Sequence, residues 1–207
     1  VMTAMGVGVG DHSGIVPDEF IEFYTQRARG GAGLIITEIT RVNNVHGVGE
    51  YDQLSLADDN VIPSFQKLAD SVHQYGTKIF AQLHHPGRES HLVLNPSVKE
   101  LVSSSPFPSR IAPEPTRALT IEEIHSLVKD FADAAVRAQK AGLDGVEIHA
   151  GHGYLITQFL SANDNFREDE YGGSLENRMR FLMEIIAAIR EACGSEFPIS
   201  VRLSSSE

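Results

Sequence analysis

Residues 145–180 read GVEIHAGHGYLITQFLSANDNFREDEYGGSLENRMR, and this stretch decides the fold. It opens on a short β-prone run, residues 145–149, of the kind buried in a parallel sheet. The run leads straight into His149, His152 and Tyr154, so two imidazoles and a phenol leave the end of one strand together. Gly151 and Gly153 lie among them and let the backbone turn where a Cβ would clash. A polar cluster at the C-terminal end of a strand is where an α/β barrel keeps its chemistry.

Outward from this stretch, strand-like and helix-like patterns alternate. Further β-prone runs lie at residues 1–5, 33–37, 78–83 and 198–203. Between them, residues 17–29 place Phe20, Phe23 and Tyr24 at helical spacing, with Pro17 suited to a first turn. Residues 60–75 put Ile62, Phe65, Leu68 and Val72 on one face. Residues 120–141 open with Thr120 and Glu123 as a capping box, carry Ile124, Leu127, Val128, Phe131, Ala134 and Ala135, and stop at Gly142. Residues 174–192 start on Ser174 as an N-cap. This order predicts an α/β fold with a parallel sheet and outer helices, and its repeat of roughly 40 residues suits a TIM (β/α)8 barrel. No Gly-x-Gly-x-x-Gly follows the first strand, which argues against a doubly wound nucleotide-binding sheet.

Five strands can be counted where a barrel needs eight. The expectation is therefore one domain over residues 1–207, about the first five β/α units of a barrel, with strands 6–8 absent and the chain a piece of a longer one. Residues 87–118 hold Pro96, Pro106, Pro108, Pro113 and Pro115 and a serine run, which predicts a long irregular, lid-like loop.

Composition narrows the partners. The chain has 207 residues, 42% of them hydrophobic, enough for one domain with a real core. Lys and Arg number 17 against 28 Asp and Glu, a formal net charge of -11, so nucleic acid and anionic membranes are poor partners. The single cysteine, Cys193, excludes an internal disulfide. No apolar run reaches membrane-spanning length and no basic leader opens the chain. A cytoplasmic protein acting on a small molecule is the expectation, with a homo-oligomer left open.

Polar residues recur at the ends of the strands: residues 3–6, then Glu38 and Thr40, then Gln82, His85 and Arg88, then His149, His152 and Tyr154, and last Arg202. In a parallel sheet they converge on one rim. His149 and His152 could serve zinc with a carboxylate, but no HExxH or His/Cys cluster accompanies them. A pair of hydrogen-bond donors for a developing oxyanion is the better use, without metal. Tyr154 suits a proton donor, or else a buried phenol bonded to backbone. Gln82 offers a donor and an acceptor, as a heterocycle edge requires, and Arg202 a permanent positive charge. Arg167, Asp169, Glu176, Asn177 and Arg178 read as a brace for the loop before the last helix.

At these residues the chain resembles the old yellow enzyme family of flavin-dependent ene-reductases. VMTAM at residues 1–5, GLIITE at 33–38, AQLHHPGR at 81–88, the long block beginning at His149 and VRLS at 201–204 agree with it in order and spacing. It is most similar to the bacterial branch with 2,4-dienoyl-CoA reductases and enoate reductases. The resemblance implies an FMN-binding TIM barrel in which NAD(P)H reduces the flavin. The flavin then passes hydride to the β-carbon of an activated alkene, an α,β-unsaturated carbonyl or dienoyl compound. By the same resemblance His149 and His152 hold the substrate carbonyl and Tyr154 protonates the α-carbon. Gln82 and Arg202 contact the pyrimidine edge of the flavin, and the backbone around Ala4, Met5 and Ile39 covers it. Many members of that branch add 4Fe-4S and FAD domains at the C-terminus. The family's flavin phosphate site lies on the last two barrel strands. The sequence departs from the family pattern at Ala4 and Ala162, where prolines are usual, and at Gly6, where many members have Thr or Cys. An amine dehydrogenase or demethylase of the same family, a flavin-free barrel lyase using His149 as base, and an inactive barrel fragment are the alternatives.

Overall fold

The computed structural model describes residues 1–111 and 113–205. In chain order it contains α1 (Asp18–Arg29), β1 (Leu34–Arg41), β2 (Leu54–Ser55), α2 (Ile62–His73), β3 (Lys78–His84), β4 (Leu101–Ser103) and β5 (Thr116–Ala118). After them come α3 (Ile121–Lys140), β6 (Gly145–Ala150), α4 (Leu155–Leu160), α5 (Leu175–Cys193) and β7 (Ile199–Leu203). The main sheet is parallel throughout, in the order β2-β1-β3-β6-β7. β6 lies between two neighbours and buries all six of its residues, whereas β7 is nowhere fully buried.

The helices cover the sheet with the residues their periodicity selects. α1 buries Phe20, Tyr24 and Ala28, α2 Phe65, Leu68 and Val72, α3 Ile124, Leu127 and Phe131, and α5 Phe181, Leu182, Ile185 and Ile189. Both serine/threonine caps form. Glu123 N–H donates to Thr120 Oγ1 at 3.2 Å while Thr120 N–H donates to Glu123 Oε2 at 2.9 Å, a complete capping box. Ser174 Oγ accepts from Asn177 N–H at 3.3 Å. Gly142 follows α3 with φ +80°, the left-handed stop that a glycine supplies without strain.

Register fixes which side chains share a layer. Ile39 pairs with Gln82, Gln82 with Glu147, and Glu147 with Ser200. Gln82 Nε2 donates to Glu147 Oε1 at 2.8 Å, and Ser200 Oγ donates to Glu147 Oε2 at 3.2 Å. Two residues further along each strand, Arg41 pairs with His84 and His149 with Arg202, and the rings of His84 and His149 lie 5.5 Å apart. These are stacked inward layers of the kind that fill a barrel.

The structure corrects several expectations. Residues 1–5 form no strand; Met2 makes a single parallel bridge to Ile35, through Met2 N–H to Leu34 O at 2.8 Å and Ile36 N–H to Met2 O at 2.9 Å. The glycines at positions 6, 8 and 10 take the chain off the sheet, and β2 occupies the same edge further along β1. β1 itself runs to Arg41, across a register shift between Ile36 and Ile39. At this irregularity Glu38 N–H donates to the Tyr24 hydroxyl at 2.9 Å. Pro17 is not in the first turn of α1 but caps it, extended, one residue earlier. Residues 87–118 are not uniformly irregular: β4 and β5 pair in parallel, and Leu101 to Ser105 are buried. The serine run docks on α4, with Ser103 Oγ donating to Gln158 Oε1 at 2.9 Å and Ser104 Oγ to Gln158 O at 2.6 Å.

The N-terminal end of the sheet is tied by one carboxylate. Asp144 accepts from His73 Nε2 at 2.7 Å, Lys78 Nζ at 2.7 Å and Ile79 N–H at 2.9 Å. Among the described residues, no helix is long and apolar enough to cross a membrane.

Candidate active site

The C-terminal strand ends do converge. Ala4, Met5, Ile39, Gln82, His149, His152, Tyr154 and Arg202 all line one cavity of about 200 Å³, joined by Gly6 and Glu50. They come from the N-terminal segment, β1, β3, β6 with the turn after it, and β7. The parallel sheet alone brings these distant positions to one mouth.

The two histidines do not present two independent donors. His149 Nε2 and His152 Nδ1 are 3.2 Å apart and bonded to each other. Gly151 N–H donates to His149 Nδ1 at 3.3 Å, so that nitrogen carries no proton and neutral His149 is protonated on Nε2. His149 therefore donates to His152, whose own proton stands on Nε2. The backbone enforces the arrangement. His152 has φ +60°, and its N–H donates to Ser204 Oγ at 3.1 Å, which folds the ring back over β6. Burial, then the neighbouring His152 and Arg202, lowers the His149 pKa to about 4, so this imidazole is neutral at physiological pH.

Tyr154 is half-buried at the start of α4 and stands edge-on to His84, ring centroids 4.4 Å apart, and to His149 at 5.1 Å. Burial, with Glu50 and Glu89 nearby, raises its pKa, so the phenol keeps its proton. Arg202 Nη1 donates to Ala4 O at 3.1 Å, and among the described residues no carboxylate pairs with it. Its charge and remaining N–H groups are thus available to the cavity. Gln82 is buried, and its bond to Glu147 uses one of the two amide protons.

Other rim residues lie elsewhere. His85 is buried beside the cavity wall with Nδ1 accepting from Gly87 N–H at 3.1 Å, and burial drives its pKa down to about 3. Arg88 forms ion pairs with Glu89 at 3.1 Å and Asp164 at 2.8 Å and borders a separate cavity of about 730 Å³ that also reaches His152 and Tyr154. Glu38 accepts from Val7 N–H at 2.6 Å and Gly8 N–H at 3.4 Å, anchoring the segment after Met5, and burial raises its pKa to about 7. Of the expected brace, Arg167 pairs with Asp169 at 2.6 Å, Asn177 and Arg178 hold the backbone at Gly172 and Leu160, and Glu176 stays exposed. Lys78 sits at the opposite end of the sheet, bound to Asp144, where no Schiff base could serve this cavity.

Sequence reasoning passed over Gln158 and His84, and it weighed Glu147 only as a carboxylate for zinc beside His149 and His152. Glu147 bridges Gln82 and Ser200. Gln158 is wholly buried and ties Ser103, Pro86 and Gly153 together, and the polar residue inside the apolar run LITQFL was its signal.

A model of the NADH:flavin oxidoreductase / NADH oxidase family matches residues 1–207. The chain belongs to this family. An NADH oxidase of Thermoanaerobacter brockii is 45% identical over 207 residues, 100% of this chain and 32% of that protein. A cinnamate reductase of Clostridium sporogenes is 44% identical over 213 residues, 99% of this chain and 31% of that protein. The old yellow enzyme homologue of Zymomonas mobilis superposes with a TM-score of 0.87 at 34% identity, over 98% of this chain and 58% of that one. The chain thus spans about a third of these two curated relatives. Its β/α units are those of an old yellow enzyme TIM barrel, in part. The cavity fits the family's cofactor class: a buried amide and a guanidinium with no carboxylate partner among the described residues line the space, and a flavin's polar edge needs such donors.

Proposed function

We propose that this protein is an FMN-dependent ene-reductase that uses NAD(P)H to reduce an alkene activated by a conjugated carbonyl. The supporting observation is the single cavity that gathers Gln82 and Arg202 with His149, His152 and Tyr154. Bound FMN supplies the two-electron redox chemistry that no side chain can perform. Gln82 and Arg202 hold its pyrimidine edge, and the guanidinium favours the negative charge that builds there. The backbone at Ala4, Met5 and Ile39 covers the ring.

His149 and His152 receive the substrate carbonyl. The substrate carbonyl takes the place of His152 Nδ1 as acceptor of the His149 Nε2 proton, and that hydrogen bond strengthens as negative charge develops on the carbonyl oxygen. Because the His149 pKa is about 4, the ring is neutral at physiological pH, and a neutral imidazole N–H polarises the carbonyl while being too weak an acid to give up its proton. Tyr154, held protonated by burial, delivers the proton to the α-carbon. The cinnamate reductase among the relatives supports this substrate class, since cinnamate carries an alkene conjugated to a carboxyl group.

Tyr154→Phe tests the assignment. Stopped-flow measurement of the two half-reactions should show alkene reduction slowed by about 100-fold or more. Flavin reduction by NAD(P)H, which does not use this proton, should change little. Equal losses in both half-reactions would remove Tyr154 as the acid.

A further inference from the structure

His84 has no part in the chemistry just described, yet it is the one described side chain with two buried polar atoms that lack any partner. Its ring is 1% exposed and packs edge-on against Tyr154. Desolvation, reinforced by His149 and His85, holds its pKa well below the usual imidazole value. The neutral ring therefore offers one N–H and one lone pair, both unmet. Native interiors seldom keep such a pair without a use.

The ring borders a cavity of about 380 Å³ that shares Ile39, Glu50 and Tyr154 with the cavity of His149 and Arg202. An alkene whose carbonyl lies at His149 and whose α-carbon lies at Tyr154 can extend its far end along this shared wall to His84. Gly49 lies against the ring without a side chain, a Cβ there standing 3.6 Å from His84 Nε2 and 3.2 Å from Pro86 Cβ, so only a thin cover, which a ligand must displace, shields the buried ring nitrogens. The walls also discriminate by charge. Glu89 is tied to Arg88 and Ser109, but Glu50 has no cation beside it among the described residues, so a second carboxylate entering here meets repulsion.

We propose that His84 is a specificity-determining residue that hydrogen-bonds an uncharged hydroxyl or amide at the far end of the alkene, so that the site prefers neutral polar enones over those ending in a carboxylate. This rests on the ene-reductase reading above and adds a substrate class to it.

Benzalacetone and its para-hydroxy and para-carboxy derivatives are the probes, titrated calorimetrically into the flavin-loaded protein. The para-hydroxy compound should bind about tenfold more tightly than the parent, and the para-carboxy compound more weakly. His84→Leu should erase the hydroxyl preference, His84→Asn should retain part of it, and Gly49→Ala should weaken it by covering Nε2. Nitrogen NMR of the wild-type protein provides a readout free of any variant: the His84 ring resonances should move with the para-hydroxy compound and not with the parent. Equal affinities for parent and para-hydroxy compound, with His84 resonances unmoved, would overturn the inference even though both enones are reduced. If no enone is bound or reduced, the ene-reductase reading falls, and this assignment with it.

Discussion

The two ends of the parallel sheet treat their polar groups in opposite ways. At the N-terminal end Asp144 meets three donors, from α2, from the first residue of β3 and from the β3 backbone. At the C-terminal end, among the described residues, the His84 ring has no hydrogen-bond partner, His85 lacks one for Nε2, and Arg202 finds only a backbone carbonyl. His149 and His152, left to themselves, bond each other. Both ends belong to the same strands, so the difference does not come from secondary structure. Satisfied groups at one end hold the sheet together, while unmet capacity at the other is what a ligand can use.

Damage to the satisfied end should have the largest effect. Asp144→Ala leaves His73, Lys78 and the Ile79 N–H without their acceptor and should cost about 2–4 kcal/mol of stability. Chemical denaturation should show the loss, and activity per folded molecule should be unchanged. An intact unfolding midpoint, or a selective loss of activity, would erase the distinction between the ends.

Acid sharpens the comparison from the other side. The folded-state pKa values of His84, His85 and His149 all lie below the ordinary value of 6.5, at about 3 for His85 and about 4 for His149. In this window the unfolded chain binds protons that the folded chain refuses. The stability these neutral rings contribute is complete above pH 6.5 and is lost as the pH falls towards 4. Glu38, raised to about 7, acts in the opposite sense: its contribution is present at low pH and lost as the pH rises through 7. Three imidazoles outweigh one carboxyl, so the net loss between neutral pH and pH 5 should be about 3 kcal/mol. Urea midpoints across that range would show it, and a flat profile would mean that the C-terminal rings are solvated after all.

The cluster at His149, His152 and Tyr154 was legible because its signal is local: a strand, two glycines and three polar rings within a few residues. The rim was legible because parallel strands put every C-terminal end on one side, whatever the details of pairing. The bond between the two imidazoles was not, since it depends on the left-handed conformation of His152 and on Ser204, 52 residues away. β2 and the β4–β5 pair are two or three residues long, too short to carry a period. Residues 1–5 look like a strand by composition, but they make one bridge, Met2 to Ile35, before the glycines at positions 6, 8 and 10 take the chain off the sheet. His84 was invisible for another reason. A histidine between Leu83 and His85 looks like packing until the fold sets its ring 5.5 Å from that of His149.

Every role proposed for Gln82, His149 and Arg202 requires a flavin ring seated in their shared cavity. The direct test is to titrate FMN into the flavin-free full-length protein that carries these residues and into its Arg202→Ala form, following the visible absorption of the ring. The unaltered protein should bind FMN and the variant should bind it at least about tenfold more weakly, because it loses a charge-assisted hydrogen bond to the ring edge while the fold keeps its unfolding midpoint. Equal affinity in the two proteins, or no binding by either, would contradict it.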